Sequence, residues 1–371
     1  MAVPVIVATI LLIAACGSSG SKAKSTSAKS SASKAELVQF EQLVKKEEAP
    51  ITKWPAEAPT ETVTPPKGKT IVDITISATE PAALRTAEGV VEAAKVIGWK
   101  GKILYGEFSD TKTREAFEQA IILGASVIVT QGIEPNKFTD LFQKAHEHGI
   151  AIVTCYSDFP TSKKYAQAEI SEYSRQSGVV AAAKAIVAAK GQGQFALFSY
   201  PEYAVLNHRM GAAKKELEKC KGCEVVDYTN ISSAEAEKTL PPATSAVLTK
   251  FPKLTGILNG IDTFADLYQL PAMKELKSTV PVYTFLGGQP TLEAVNKGEV
   301  EAVVADPLRW GGWAAVDSAI RVLDKKPVGE GGVPERILTK STVGPALKSG
   351  EGWTGDFNYK AEYERLWGVK S

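Results

Sequence analysis

The sequence predicts an α/β protein made of two doubly wound parallel-sheet lobes. Three observations lead there. From residue 70 onward, short apolar runs alternate with stretches of helical periodicity. The runs are continuously apolar, as in strands of a parallel sheet covered on both faces. They are too many for one compact sheet, so the 371 residues divide between two cores.

The expected strands are 70–76, 101–105, 126–130, 151–156, 194–199, 223–229, 256–259, 280–285 and 302–305. Between them, helical periodicity covers 84–97, 114–123, 137–148, 174–189, 207–219, 234–251, 264–276, 291–297 and 313–325. Ahead of the first strand, 35–48 carries Leu37, Val38, Phe40 and Leu43 among charges, the pattern of a short amphipathic helix. Pro55, Pro59, Pro65 and Pro66 then make 54–69 an extended lead-in. At the other end, Trp353, Phe357, Tyr359, Tyr363 and Trp367 crowd a tail, and so many rings point to packing on a lobe.

The N-terminus reads as a targeting segment. Residues 3–15 are apolar except for Pro4 and Thr9, the length of a signal-peptide core and too short to span a bilayer. No positive stretch precedes them. They end Leu12-Ile13-Ala14-Ala15-Cys16-Gly17, which resembles the bacterial lipobox, whose cysteine is diacylated and becomes the first residue. The following Gly, Ser, Ala, Lys and Thr residues of 17–34 cannot bury apolar surface and read as a tether. Lipidation at Cys16 would hold the folded part just outside the cell membrane.

Composition narrows the function. A net charge of +1 offers no footprint for nucleic acid. Four cysteines are too few for a disulfide-built scaffold. Cys220-Lys221-Gly222-Cys223 sits on a helix-to-strand turn; outside the cytoplasm it reads as a local disulfide, with Cys155 a buried free thiol. His146 and His148 do not share a helix face and suit a helix C-terminus rather than a metal. No metal spacing, nucleophile–base pairing or G-x-S-x-G occurs, so no cofactor, metal or catalysis is expected.

In open parallel sheets the ligand lies beyond the carboxyl ends of the strands. Those positions here are 77–80, 106–108, 131–133, 156–159, 200–203, 260–263, 286–289 and 306–307. They are polar, aromatic and glycine-rich. Aromatic faces pack on the C–H side of a sugar, and carboxylates and amides meet its hydroxyls.

Several stretches carry a family resemblance. Gly149-Ile150-Ala151-Ile152-Val153-Thr154 is similar to a "G-I-P-V-V-T" strand, and Asn207-His208-Arg209-Met210-Gly211 to an "R-x-x-G" helix start. Thr255 to Asp262 stands where an aliphatic run precedes "N-D". Thr284-Phe285-Leu286-Gly287 with Glu293-Ala294-Val295 and Gly298 is similar to "G-F-D-G … A-V … G". Val303 to Pro307 with Trp310-Gly311-Gly312 is similar to "A-T-I-A-Q-x-P … G". In order and spacing, these resemble the type I periplasmic sugar-binding proteins of the ribose-binding group over about residues 67–340.

The resemblance implies lobes joined by a three-segment hinge near Ser171, Asp306 and Pro334, with ligand in the cleft. The implied divisions are 1–15 signal, 16–66 lipidated tether, helix and lead-in, 67–171 plus 307–335 N-terminal lobe, 172–306 plus 336–345 C-terminal lobe, and 346–371 tail. Expected ligand-facing residues are Thr79, Glu80, Tyr156, Ser157, Asp158, Asn207, His208, Arg209, Asp262, Phe285, Asp306 and Trp310. Four departures stand out. Tyr156-Ser157 replaces an Asp-Arg pair, Ile261 an Asn, and Leu286 an Asp. They shift the expected ligand from a simple pentose or hexose towards a polyol, cyclitol or modified sugar. The implied function is that of a monomeric extracytoplasmic lipoprotein delivering ligand to an ABC permease. The alternative is a sensor presenting a ligand to a membrane receptor kinase.

Overall fold

The computed structural model describes residues 34–157, 164–170, 174–329 and 332–369. The expected signal segment, Cys16, nearly all of the tether, Asp158 and the hinge position at Ser171 lie outside the described residues.

The first described element is α1 (Lys34–Glu48). The N-terminal lobe follows, with β1 (Thr70–Thr75), α2 (Pro81–Val96), β2 (Lys100–Tyr105), α3 (Asp110–Ile122), β3 (Val127–Gln131), α4 (Thr139–Glu147), β4 (Ala151–Cys155) and β5 (Ala168–Ile170). Its parallel sheet has the order β2-β1-β3-β4-β5. The C-terminal lobe contains α5 (Ser174–Ala188), β6 (Gly193–Ser199), α6 (Ala204–Lys219), β7 (Cys223–Asn230), α7 (Ala236–Lys250), β8 (Leu254–Asn259), α8 (Leu270–Glu275), β9 (Val282–Leu286), α9 (Gln289–Lys297) and β10 (Ala302–Ala305). Next, α10 (Leu308–Leu323) returns to the first lobe, and β11 (Arg336–Thr339) closes the second sheet antiparallel to β10. That sheet runs β11-β10-β9-β8-β6-β7. Each sheet thus reverses direction beside its first strand, between β1 and β3 and between β6 and β8, where such folds open a crevice.

Two short strands, β5 and β11, carry too few apolar residues to register in the sequence. Several helices begin earlier than periodicity places them. Pro81 and Pro290 read as breakers, yet both sit in the first helical turn, where the missing N–H costs nothing. Another is α10, expected from Trp313 and starting at Leu308. Gly312 lies inside it because α10 crosses α2 at close range, and Gly311 because a Cβ there would run into the Tyr156 hydroxyl. A Cβ on Gly312 would collide with Thr86 O, and one on Gly89 would lie 2.5 Å from Arg309 O.

Phe195, Leu197, Ile257 and Phe285 are fully buried at the heart of the second lobe. The first lobe buries Ile71, Val127 and Val153 towards α10, and Val72, Ile128 and Phe142 on its other face. Cys220 and Cys223 form a disulfide across the α6–β7 turn, and Cys155 is a buried free thiol in β4.

The expected three-segment hinge is flanked, among the described residues, by two further crossings. α1 buries Phe40 and Val44 on the C-terminal lobe. Ile51 packs there too, and Trp54 then packs into the N-terminal lobe. The tail runs alongside: Trp353 is buried in the C-terminal lobe, and α11 (Tyr359–Leu366) packs on α10. The Asp356 carboxylate ties both crossings to β11, accepting from Ile51 N at 3.0 Å and Arg336 Nη1 at 2.9 Å. Along this seam Trp54 and Trp310 stack at 5.6 Å, Trp310 and Tyr359 at 4.9 Å, and Trp313 and Trp367 at 5.4 Å.

Candidate ligand-binding cleft

The segments following β1, β3, β6 and β8, the strands at the two switch points, meet face to face between the lobes. The contact is closed by direct bonds. Thr263 Oγ1 donates to Glu80 Oε1 at 3.1 Å. Ala204 N donates to Glu134 Oε1 at 2.7 Å, so a carboxylate of one lobe meets the N-terminus of α6 in the other. Lys137 Nζ donates to Glu202 O at 3.1 Å.

Between these bonds lie two connected spaces. The outer one measures about 520 Å³ and is walled by polar side chains such as Thr79, Asp110, Glu134, Lys137 and Ser233. The inner one measures about 70 Å³; Val205, Leu206, Ile261, Leu286 and Leu308 form an aliphatic part of its wall, beside the ring of Tyr156 and the Arg209 side chain. Ile76, Glu80, Phe108, Tyr203 and Phe264 belong to both walls.

Backbone strain marks the inner space. Phe108 has φ 52°, Tyr156 φ 53° and Leu286 φ 77°, a left-handed region that non-glycine residues occupy at a cost. Phe108 and Tyr156 stand just past strand ends, Leu286 is the last residue of β9, and all three line the inner space. Ladder bonds hold the strain in place: Phe108 N donates to Ile76 O at 2.8 Å, and Tyr156 N to Ile170 O at 3.0 Å.

Glu80 joins the two lobes. Its Oε2 accepts from Ala83 N at 2.6 Å, capping α2, while Oε1 faces Thr263. Burial, with the nearby Asp262 adding to it, pushes its carboxyl up to about 7. Behind the cleft floor, Gln131 Nε2 donates to Asp73 Oδ2 at 2.8 Å, and burial raises Asp73 to about 8. Burial also raises the Tyr203 hydroxyl to about 12.

Of the residues expected from the sequence, Thr79, Glu80, Tyr156 and Arg209 line the cleft. Arg209 reaches it from α6, with Nη1 donating to Gly260 O at 2.7 Å and its guanidinium 4.6 Å from the Phe285 ring. The others are placed differently. Phe285 is buried beneath that guanidinium. Ser157 bonds Ile133 O at 3.0 Å. Asp262 accepts from Thr263 N, Gly288 N and Thr291 Oγ1, stitching the turns after β8 and β9 together. Asp306 is buried where β10 leaves for the hinge, its N–H on Leu286 O at 3.0 Å. Asn207 is exposed on α6 beside the partly buried His208, and neither is part of either wall. Trp310 is fully buried in the seam between Trp54 and Tyr359, because α10 starts five residues before its expected start and turns this ring away from the cleft.

Sequence reasoning did not single out Phe108, Tyr203 or Phe264, although the first two occupy post-strand positions. Only the tertiary structure tells a ring that lines a space from one that fills a core. Among the described residues, no group of three or more His, Cys, Asp or Glu is placed to hold a metal ion, and no helix is long and apolar enough to cross a membrane.

Comparison with known proteins agrees with this geometry. The chain is similar to an ABC sugar transporter subunit from Rhodobacter sphaeroides 2.4.1, at a TM-score of 0.65 and 19% identity, covering 74% of this chain and 99% of that one. It is also similar to an ABC transporter solute-binding protein from Agrobacterium vitis bound with alpha-D-tagatopyranose, with a TM-score of 0.69, 18% identity and coverage of 76% and 98%. A third is the solute-binding protein from Bacillus halodurans C-125 with bound myo-inositol, with a TM-score of 0.66, 17% identity and coverage of 76% and 99%. At these identities the likeness is one of fold. No curated protein is significantly similar to the chain. Residues 75–327, which include every strand end facing the cleft, match the family model described as a periplasmic binding protein domain, and on that match the chain belongs to the periplasmic binding protein family.

Proposed function

We propose that this chain is the extracytoplasmic solute-binding component of an ABC importer, anchored through Cys16, and that it carries a sugar-like molecule to a membrane permease. The ligand class is a sugar, polyol, cyclitol or modified sugar without net charge. The observation that carries this reading is the cleft at two facing switch points, where aromatic faces alternate with polar groups and bonds such as Thr263 to Glu80 span the lobes. Ligand touching both lobes would favour closure only through contacts the open form lacks. Two proteins of the same fold hold alpha-D-tagatopyranose and myo-inositol, which supports the ligand class.

A thermal-shift screen over sugars, polyols and cyclitols tests it. One or more of these compounds is expected to raise the melting temperature in a concentration-dependent way. A response only to amino acids or aromatic acids would overturn the ligand class.

A further inference from the structure

The two spaces of the cleft differ in chemistry, and that difference bears on the ligand. The outer space is large enough for a monosaccharide ring and is walled by side chains that can meet hydroxyls. The smaller space of about 70 Å³ has Val205, Leu206, Ile261, Leu286 and Leu308 on its wall, an aliphatic patch. It is roughly half the size of a cavity of about 150 Å³ that takes benzene, so it suits a group smaller than a ring.

Three polar side chains that reach the inner wall, Glu80, Gln131 and Arg209, make bonds within the protein, while Gln131 Oε1 is buried without a hydrogen-bond partner. Glu80 accepts from Ala83 N and Thr263 Oγ1. Gln131 donates to Asp73, and Arg209 donates to Gly260 O. A ligand hydroxyl placed against the aliphatic wall would give up its water and meet carbon. A methyl group there would lose nothing.

Two features argue that the aliphatic wall is specified. Ile261 and Leu286 come from the ends of different strands, and both contribute to it. Leu286 does so from a left-handed backbone conformation, an arrangement a branched side chain adopts only where its surroundings impose it.

We infer that the ligand bears a compact apolar group, such as the methyl of a deoxy sugar or of an O-methyl ether, that enters the inner space while its hydroxyl-bearing part occupies the outer one. This rests on the proposed function and narrows it from sugar-like molecules in general to methyl-bearing ones.

Calorimetric titration of the wild-type protein with matched pairs tests the inference. The pairs are D-fucose against D-galactose, L-rhamnose against L-mannose, methyl β-D-glucopyranoside against D-glucose, and a mono-O-methyl myo-inositol against myo-inositol. The methyl-bearing member of every pair that binds is expected to be tighter, by roughly ten- to a hundredfold. A Leu286→Asn variant, checked for folding by circular dichroism, is expected to lose that preference. If the parent compounds bind as well as or better than their methyl-bearing partners, the inference fails and the proposed function stands. If no member of any pair binds and no other sugar, polyol or cyclitol does, both fail together. The wild-type comparison decides without the variant.

Discussion

Behind the N-terminal lobe, Trp54, Trp310, Trp313, Tyr359, Tyr363 and Trp367 form a continuous aromatic seam, and in front of it Phe108, Tyr203 and Phe264 line a cleft. The side-chain chemistry is the same and the outcome is opposite. In the seam each ring finds ring partners, and Trp310 and Tyr363 are fully buried. In the cleft the rings keep a face on open space, and Phe108 remains 50% exposed despite its strained backbone. A ring with complete partners contributes to stability; a ring with an open face is available to a ligand.

Substitutions should separate the two regions. The largest effect is expected from Trp310→Ala, which empties the centre of the seam and should cost about 3–5 kcal/mol of stability in chemical denaturation. The seam joins the lead-in and tail to the first lobe, so proteolysis at the lead-in should accelerate as well. Phe108→Ala should behave in the opposite way. Its stability loss should stay within about 1 kcal/mol, while affinity for the best ligand of the screen falls about tenfold in calorimetry. If Phe108→Ala destabilised the protein as much as Trp310→Ala, the distinction between the regions would collapse.

The next effect is electrostatic. The Glu80 carboxyl is raised from 4.5 to about 7, so the folded protein holds this proton more tightly than the unfolded chain. Its contribution to stability is therefore fully present below pH 4.5 and is lost as pH rises to about 7. Over that window, wild-type stability should fall relative to Glu80→Gln by up to about 1.4 kcal/mol per pH unit. A flat difference between the two proteins across the window would show that Glu80 is not buried at the lobe interface in solution. The smallest expected effect on the folded part is that of Cys16→Ser, which should leave melting and ligand binding unchanged while moving the protein from the membrane fraction to the soluble one.

Much of the fold was legible in the sequence, because buried parallel strands announce themselves as unbroken apolar runs. The runs Val127-Ile128-Val129 and Ile152-Val153 are β-branched, and Gly124 and Gly149 precede them, which favours strand over buried helix. The helix starts were less legible. Pro81 looks like a break until it is seen in the first turn of α2, and Gly311-Gly312 until their neighbours are known, α2 against Gly312 and the Tyr156 hydroxyl against Gly311. The misplacement of Trp310 follows from that one boundary. Within the cleft, Glu80 and Tyr156 could be found from their position after a strand, whereas Asp262 and Asp306 could not be assigned from type alone. A carboxylate that stitches backbone amides looks the same in sequence as one that meets a ligand; the bonds of Asp262 to Gly288 N and Thr263 N decide its role. The replacements at Ile261 and Leu286 were visible one at a time, and only the folded chain brings them into one aliphatic wall.

The central claim is that ligand binds between the lobes at the two switch points. Hydrogen exchange with and without the most stabilising sugar of the screen tests it most directly. The account predicts new amide protection on both sides of the cleft, in 76–83 of the first lobe and in 203–209 and 260–264 of the second, with the aromatic seam at 353–367 unchanged. Protection confined to one lobe, or appearing in the seam instead, would contradict it.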